Sequence, residues 1–221
     1  MARMPRLVVP GFPHHVTQRG NRRQRTFFSK ADYRHYMALL SEFAQKAETE
    51  IWAYYLMPNH VHLVMVPSTD DGLRAPLGET HRHYTRHINL RKGWRGHLWQ
   101  ERFHSFLMED DYLLATVRYV ERNPVTARLC RRPGDWPWSS VRAHLQGTGD
   151  SLVTVKPMLD RVPDWSAYLS SVNLNDTIES IRQHNRTGRP FGSIEFIQAL
   201  EQQTGKPLVP KRPGPKPNAM N

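Results

Sequence analysis

The chain contains little cysteine and no long apolar run. Its single cysteine, Cys130, excludes an internal disulfide and a zinc site built on several thiolates. No stretch is apolar over enough residues to span a bilayer, and the N-terminus lacks the apolar core of a signal peptide. We therefore expect a cytoplasmic protein with no membrane partner.

Acidic residues are also scarce. The 221 residues include 31 lysines and arginines against 20 acidic residues, which gives a net charge of +11 and a pI near 10.1. Such an excess favours a polyanionic partner, and nucleic acid fits it better than a membrane surface. The length suits one domain with an appendage, or two small domains.

Two histidines stand two positions apart in the apolar segment from Leu56 to Met65. Side chains alternate across a strand, so His60 and His62 share one face. Such a pair can hold one divalent metal, but histidines on a half-exposed sheet face are also common without one. A second pair, His81 and His83, lies in a polar stretch with helical spacing. Positions two apart on a helix diverge, so we interpret this second pair as surface.

Positive charge is concentrated in a turn after the first predicted strand. Gly20 and Asn21 give this turn its conformational freedom, and arginines without interleaved acids surround them. A solvated loop and a phosphate-binding loop both fit this pattern, and we favour phosphate contact. The candidate nucleic-acid contacts of the turn are Arg19, Asn21, Arg22, Arg23 and Arg25.

The predicted elements follow the order β-α-β-β-α-β. They are a strand over 13–19, a helix capped by Ser29, strands over 51–57 and 61–66, a helix over 77–90 and a strand over 98–108. This order predicts the α+β class, with a ferredoxin-like antiparallel sheet, as in RNA-recognition domains, and helices on one face. The other face is then free to meet a substrate.

A further helix is predicted over Tyr112 to Asn123, with acids before it and Pro124 ending it. Tyr119 and Asn123 lie one turn apart on this helix, so a hydroxyl nucleophile and a side-chain amide could address one phosphate. An apolar stripe on the same helix also allows Tyr119 a packing role.

Several motifs in order resemble one family. The segments are Pro5-Arg6, Pro10-Gly11, His15 to Asn21, Ala53 to Leu63, Leu98 to Phe103, Arg118 to Val125 and Trp138-Ser139-Ser140. They resemble the single-tyrosine transposases of the His-hydrophobic-His superfamily (IS200-like), most closely the branch associated with repetitive extragenic palindromes (REP). The match covers about two thirds of the chain, which is far more specific than His-x-His alone.

The resemblance implies that His60 and His62 bind Mg²⁺ or Mn²⁺ and that Tyr119 is the nucleophile. Asn123 stands where related transposases typically carry a glutamine, and its amide would complete the metal site directly or through water. The implied reaction is cleavage and rejoining of single-stranded DNA at palindromic hairpins, through a 5′-phosphotyrosine. Arg102, in the matching segment from Leu98 to Phe103, joins the candidate DNA contacts. The tryptophans 94, 99, 136 and 138 offer stacking surfaces, although most tryptophans belong to cores.

We expect three regions. Residues 1–145 form the catalytic domain, and residues 146–205 form a C-terminal extension with helices over 166–183 and 193–203. Residues 206–221 form a basic, proline-rich tail that should be extended. The branch with such tails resembles monomers, so a monomer is favoured and a dimer stays open.

Other functions remain open at this point. A non-catalytic module that binds single-stranded nucleic acid has the same fold plan but places stacking aromatics on its central strands. A metal-dependent phosphoesterase would use activated water instead of tyrosine. A replicative nickase of the same superfamily is a closer variant, but the chain is short and has no helicase segment.

Overall fold

The structure is a computed structural model that describes residues 6–171 and 175–209, except the side chains of residues 175 and 176. The first part of the chain forms β1 (His14–Arg19), α1 (Lys30–Lys46), β2 (Glu50–Met57), β3 (His60–Val66), α2 (Arg74–Lys92) and β4 (His104–Leu107). The helix α3 (Asp110–Thr126) follows. The remaining helices are α4 (Val141–Gln146), α5 (Lys156–Leu159), α6 (Trp165–Ser170), α7 (Asn175–Thr187) and α8 (Ile194–Thr204).

The four strands form one antiparallel sheet in the order β2-β3-β1-β4. This order and the sequence of elements confirm the predicted α+β, ferredoxin-like plan. The two central strands are β1 and β3, and their register places Thr17 opposite His62 and Arg19 opposite His60. The histidine pair therefore lies in the middle of the sheet.

Helices α1 and α2 pack on one face of the sheet. The alternate residues Val16, Leu63 and Met65 point into this core. As predicted, Ser29 caps α1: its hydroxyl accepts from the Asp32 backbone, and the Asp32 carboxylate accepts from the Ser29 backbone. The buried Asp32 also pairs with Arg91 of α2, which joins the two helices.

The fold plan alone predicts that the other face of the sheet is free, but in the structure this face is largely covered. Helix α3 packs over β2 and β3, α7 packs against β4, and α6 packs on α3 and α4. The second core lies between this face and the helices, and its buried members include Ala53, Val64, Phe106, Val117 and Ile181. The face is open to a ligand only where these helices leave a cavity.

Two predicted boundaries are wrong. Of the strand predicted over 98–108, only β4 (His104–Leu107) is a strand in the structure. The residues before β4 pair with the turn after β1 only through an isolated bridge between Trp99 and Gly20. One hydrogen bond of this bridge runs from the Asn21 backbone N–H to the Leu98 carbonyl, at 2.8 Å.

Pro124 also does not end α3, which continues to Thr126. Pro124 lacks only its own N–H, and the helical bonding resumes after it, since the Ala127 N–H donates to the Asn123 carbonyl at 2.8 Å.

The His81 and His83 pair is not a surface pair as predicted. His81 is half-buried, with its Nε2 3.0 Å from the Tyr36 hydroxyl and its ring 4.6 Å from the Trp99 ring. Burial lowers the pKa of His81 to about 3. Trp99 itself is buried, whereas Trp94 is exposed.

The C-terminal extension also differs in detail. The single helix predicted over 166–183 is two helices, since α6 ends at Ser170 and α7 begins at Asn175. The helix predicted over 193–203 is α8, with Ser193 as its cap. Of the predicted tail, residues 210–221 lie outside the described residues. Among the described helices, none has the length and apolarity to cross a membrane.

Candidate functional site

A cavity of about 720 Å³ lies where β1, β3 and β4 meet α3 and α7. Both predicted histidines, the predicted nucleophile and the predicted amide line it. The lining residues are Thr17, Gln18, Arg19, Arg23, Met57, His60, His62, Gln100, Glu101, His104, Tyr119, Asn123, Glu179, Arg182, Asn185 and Arg186.

The histidine pair is held by the strand that carries it. The rings of His60 and His62 have centroids 5.0 Å apart and planes inclined by 69°. Val61 between them is fully buried in the core on the opposite face, which fixes the strand. The Nδ1 atom of His60 lies 2.7 Å from the Asn59 side-chain oxygen. This contact orients the ring and leaves the Nε2 atom of His60 for a ligand.

A third histidine, His15 of β1, contacts the ring of His62. Its Nε2 atom lies 3.0 Å from the Nδ1 atom of His62, and the two rings stack at 5.2 Å. His15 also packs edge-on against Phe106 and is almost fully buried. The contact follows from the sheet register, because His15 and His62 occupy the same face of adjacent strands.

Burial keeps these imidazoles neutral. It lowers the pKa of His60 to about 4, with a smaller contribution from the charge of Arg19. It also lowers the pKa of His15 to about 3, and that of His62 well below its usual range. Neutral imidazole is the form that binds a metal.

Tyr119 faces the histidines from α3. Its ring centroid is 6.1 Å from that of His62, with the planes at 79°. One helical turn later, the side-chain nitrogen of Asn123 is buried without a hydrogen-bond partner. A buried amide in this condition is available to a ligand in the cavity.

The helix that carries Tyr119 is fixed by a buried polar network around Glu121. The two oxygens of this carboxylate contact three side chains: Ser140 donates at 2.5 Å, Trp165 donates at 2.8 Å, and His144 Nδ1 lies 2.7 Å away. All four residues are buried. Because Glu121 lies between Tyr119 and Asn123, the network sets the orientation of the helix over the cavity.

The predicted DNA contacts divide into two groups. Arg19 and Arg23 line the cavity. Asn21, Arg22 and Arg25 do not line it, and the Arg25 guanidinium donates to the Phe27 carbonyl at 2.9 Å. Arg102 lines a second cavity of about 570 Å³. The two cavities share Gln18 and Glu101, so they adjoin.

Sequence reasoning did not find the contribution of α7 or the role of His15. Glu179, Arg182, Asn185 and Arg186 reach the cavity from a helix far along the chain, and Thr17 donates to the Asn185 side-chain oxygen at 2.9 Å. No local motif marks these residues. His15 could have been found, since side-chain alternation along the strand predicted over 13–19 places it on the same face as Thr17 and Arg19.

The donor set suits a divalent metal. Two neutral imidazole nitrogens and the Asn123 amide oxygen are ordinary ligands of such an ion, and they leave positions for phosphate oxygens and water. The unpartnered amide nitrogen of Asn123 is a hydrogen-bond donor, which suits a phosphate oxygen in the cavity. Within residues 6–171 and 175–209, no group of three histidine, cysteine or acidic side chains is arranged to hold a metal. A site here would therefore depend on His60, His62 and Asn123.

The fold and the cavity define an α+β protein that joins a ferredoxin-like sheet to a site of two histidines and a helix-borne tyrosine. The model of the family described as transposase IS200 like matches residues 9–123, which is more than half of the chain. The chain therefore belongs to the IS200-like transposases. No curated protein matches it.

Several solved structures are similar to this chain, including the following two. One is a REP-associated tyrosine transposase bound to a REP hairpin, with 22% identity and a TM-score of 0.57 over 70% of this chain and 92% of that chain. The other is a candidate transposase from Deinococcus radiodurans R1, with 20% identity and a TM-score of 0.39 over 55% of this chain and 97% of that one. The first similarity supports the fold.

Proposed function

We propose that this protein is a metal-dependent endonuclease and transposase of single-stranded DNA. It cleaves and rejoins DNA at palindromic, REP-like hairpins through a 5′-phosphotyrosine intermediate. The observation that carries this proposal is the common cavity of Tyr119, Asn123, His60 and His62. Membership in a transposase family and the fold shared with a hairpin-bound transposase support it.

The chemistry is transesterification. The Tyr119 oxygen forms a bond to the scissile phosphorus while the bond from phosphorus to the 3′ oxygen breaks. The phenol gives up its proton, and the leaving oxygen takes one to become a free 3′ hydroxyl. The DNA stays attached to Tyr119 through its 5′ phosphate. Attack by a 3′ hydroxyl on this linkage reverses the step, so rejoining needs no nucleotide cofactor.

His60, His62 and Asn123 would hold the metal, which we propose to be Mg²⁺ or Mn²⁺. When bound, such an ion would polarise a phosphate oxygen and offset negative charge that develops at the phosphate. The basic surface beside the cavity, with Arg19 and Arg23 on its wall, would hold the DNA backbone. Binding and catalysis would thus rest on different side chains.

The test is to separate these two roles. We expect His60→Ala with His62→Ala to abolish metal-dependent cleavage of a labelled single-stranded hairpin but to leave most hairpin binding, because binding rests on the arginines. His81→Ala, which alters a histidine outside the cavity, is the matched control and should still cleave. Cleavage by the folded double variant at the wild-type rate would contradict the proposal.

We also propose that the active unit is a monomer, because one chain supplies the tyrosine and both histidines to one cavity. A mixture of the His60→Ala, His62→Ala variant with Tyr119→Phe should therefore remain inactive. Recovery of cleavage in the mixture would show that two chains share a site.

A further inference from the structure

Helix α7 lies beyond residue 123, where the family match ends, yet it forms one wall of the cavity. Its residues at positions 179, 182 and 186 have spacings of three and four, so they share one face of the helix. Both Arg182 and Arg186 are on this face, together with Glu179.

The rest of the helix is anchored. Ile181 is buried in the second core, and the His184 ring stacks on Phe191 at 4.4 Å. Asn185 accepts a hydrogen bond from Thr17 of β1, in the sheet that carries the histidines. These contacts hold α7 at a defined position, so the two arginines stand at the cavity on a rigid element.

The two arginines are available to a ligand. Their side chains are 57% and 70% exposed, and both share one acidic partner, with distances of 3.5 Å from Arg182 and 3.2 Å from Arg186 to the Glu179 carboxylate. Exposed pairs of this kind are weak, so a phosphate can replace the carboxylate at little cost. Guanidinium groups bind phosphate in a forked geometry that suits a nucleic-acid backbone.

We propose that Arg182 and Arg186 bind backbone phosphates of the single strand that lies in the cavity, beside the scissile phosphate. The C-terminal extension is then part of the substrate-binding site. This inference rests on the proposed function, because the ligand is the single-stranded DNA named there. It adds two arginines from α7 to Arg19 and Arg23, which also line the cavity.

Salt dependence of binding tests this proposal. Each phosphate contact to a single strand contributes about 0.7 to the slope of log K against log salt concentration. The Arg182→Gln, Arg186→Gln double variant should therefore reduce this slope by about 1.4. The measurement is fluorescence anisotropy of a labelled hairpin with single-stranded flanks, at salt concentrations from about 50 to 200 mM. Chelator in the buffer prevents cleavage, so the wild-type protein is used directly.

The controls separate this role from loss of charge in general. Lys46→Gln with Lys156→Gln removes the same formal charge from exposed lysines that each pair with one acid outside the cavity, and it should leave the slope unchanged. Arg182→Lys with Arg186→Lys keeps the charge and should restore most of the slope. Glu179→Gln removes the competing carboxylate and should tighten binding. A hairpin without flanks should not distinguish the arginine variant from the wild type.

Two results would overturn the inference while leaving the proposed function intact. One is a slope for Arg182→Gln, Arg186→Gln that equals that of the lysine control. The other is tighter binding by this variant, which would mean that α7 obstructs the strand. Failure of the wild-type protein to bind the flanked hairpin at all would instead contradict the proposed function as well.

Discussion

The Nε2 atom of His15 lies 3.0 Å from the Nδ1 atom of His62, on the neighbouring strand. When the Nε2 atom of His62 serves a metal, its Nδ1 atom carries the proton and donates it to His15. In that tautomer His15 accepts the hydrogen bond of His62 through its own Nε2 atom, and it fixes the ring plane of His62 by stacking. It acts on the metal site without belonging to it.

His15→Phe removes this hydrogen bond but keeps an aromatic ring beside His62. We expect the Mn²⁺ dissociation constant to rise about 10- to 100-fold, as is usual when a partner behind a metal ligand is lost. Isothermal titration calorimetry of the protein with Mn²⁺ measures this directly. His81→Phe, at a half-buried histidine outside the cavity, should bind Mn²⁺ like the wild type. Unchanged affinity in His15→Phe would exclude the supporting role.

Asn123 should matter to cleavage more than to DNA binding. The Asn123 amide lines the cavity beside Tyr119 and the histidines, and its buried nitrogen has no hydrogen-bond partner. Removal of this amide should therefore affect the reaction at the phosphate rather than the binding of the DNA backbone. We expect Asn123→Ala to slow cleavage about 10- to 100-fold. Asn123→Gln, which extends the amide by one methylene, should retain more activity. Single-turnover rates on the same hairpin compare the variants, and equal rates for all three proteins would remove Asn123 from the site.

Glu121 should be important for folding, since it satisfies three buried groups at once. Glu121→Ala removes the hydrogen-bond partner of the His144 ring and the Trp165 indole and one partner of Ser140, and each buried polar group left unsatisfied costs about 1 to 3 kcal/mol. Urea unfolding followed by tryptophan fluorescence measures the loss. Glu42→Ala breaks only an exposed pair with Lys46 and should leave the midpoint nearly unchanged. Similar midpoints for both variants would refute the role of the network.

Acid should destabilise the fold through His14. The Nδ1 atom of this buried ring lies 2.8 Å from the Phe12 carbonyl oxygen, and its Nε2 atom accepts a hydrogen bond from the Val9 backbone N–H. Both ring nitrogens are therefore occupied, and a second proton on the ring would break the bond from Val9. Burial lowers its pKa from 6.5 to about 4, despite the opposing effect of the Phe12 carbonyl. Between these pH values only the unfolded chain binds the proton, so the free energy of unfolding falls as pH falls.

The contribution of His14 is complete above pH 6.5 and is lost by about pH 4. Its slope is at most about 1.4 kcal/mol per pH unit. Other buried histidines act in the same direction, so the comparison is with His14→Gln, which keeps a donor and an acceptor but does not titrate. Unfolding curves across this window should show a shallower pH dependence for the variant. Identical dependences would rule out the His14 effect.

Local patterns predicted the parts of the structure that local physics determines. Strand alternation placed His60 and His62 on one face, and helical spacing placed Tyr119 and Asn123 on another element. The capping residue Ser29 marked the start of α1. These features depend on residues within a few positions of one another, which is why the sequence alone reveals them.

The missed features depend on contacts between distant segments. The bond between His15 and His62 requires the register of β1 and β3, and the cavity wall from α7 requires the packing of a helix more than a hundred residues after β3. His81 is half-buried because Tyr36 and Trp99 come from other elements. The end of α3 was predicted from Pro124, but the hydrogen bond from the Ala127 N–H to the Asn123 carbonyl carries the helix past the proline.

The most direct test of the account is the covalent step itself. The protein and its Tyr119→Phe variant would be incubated with labelled single-stranded hairpin DNA and Mn²⁺ or Mg²⁺, then separated by denaturing electrophoresis. The account predicts a metal-dependent protein–DNA adduct that survives denaturation in the wild type and is absent from the variant, while both proteins bind the hairpin. Metal-dependent cleavage that persists in Tyr119→Phe, with no adduct in either protein, would contradict it and indicate attack by water.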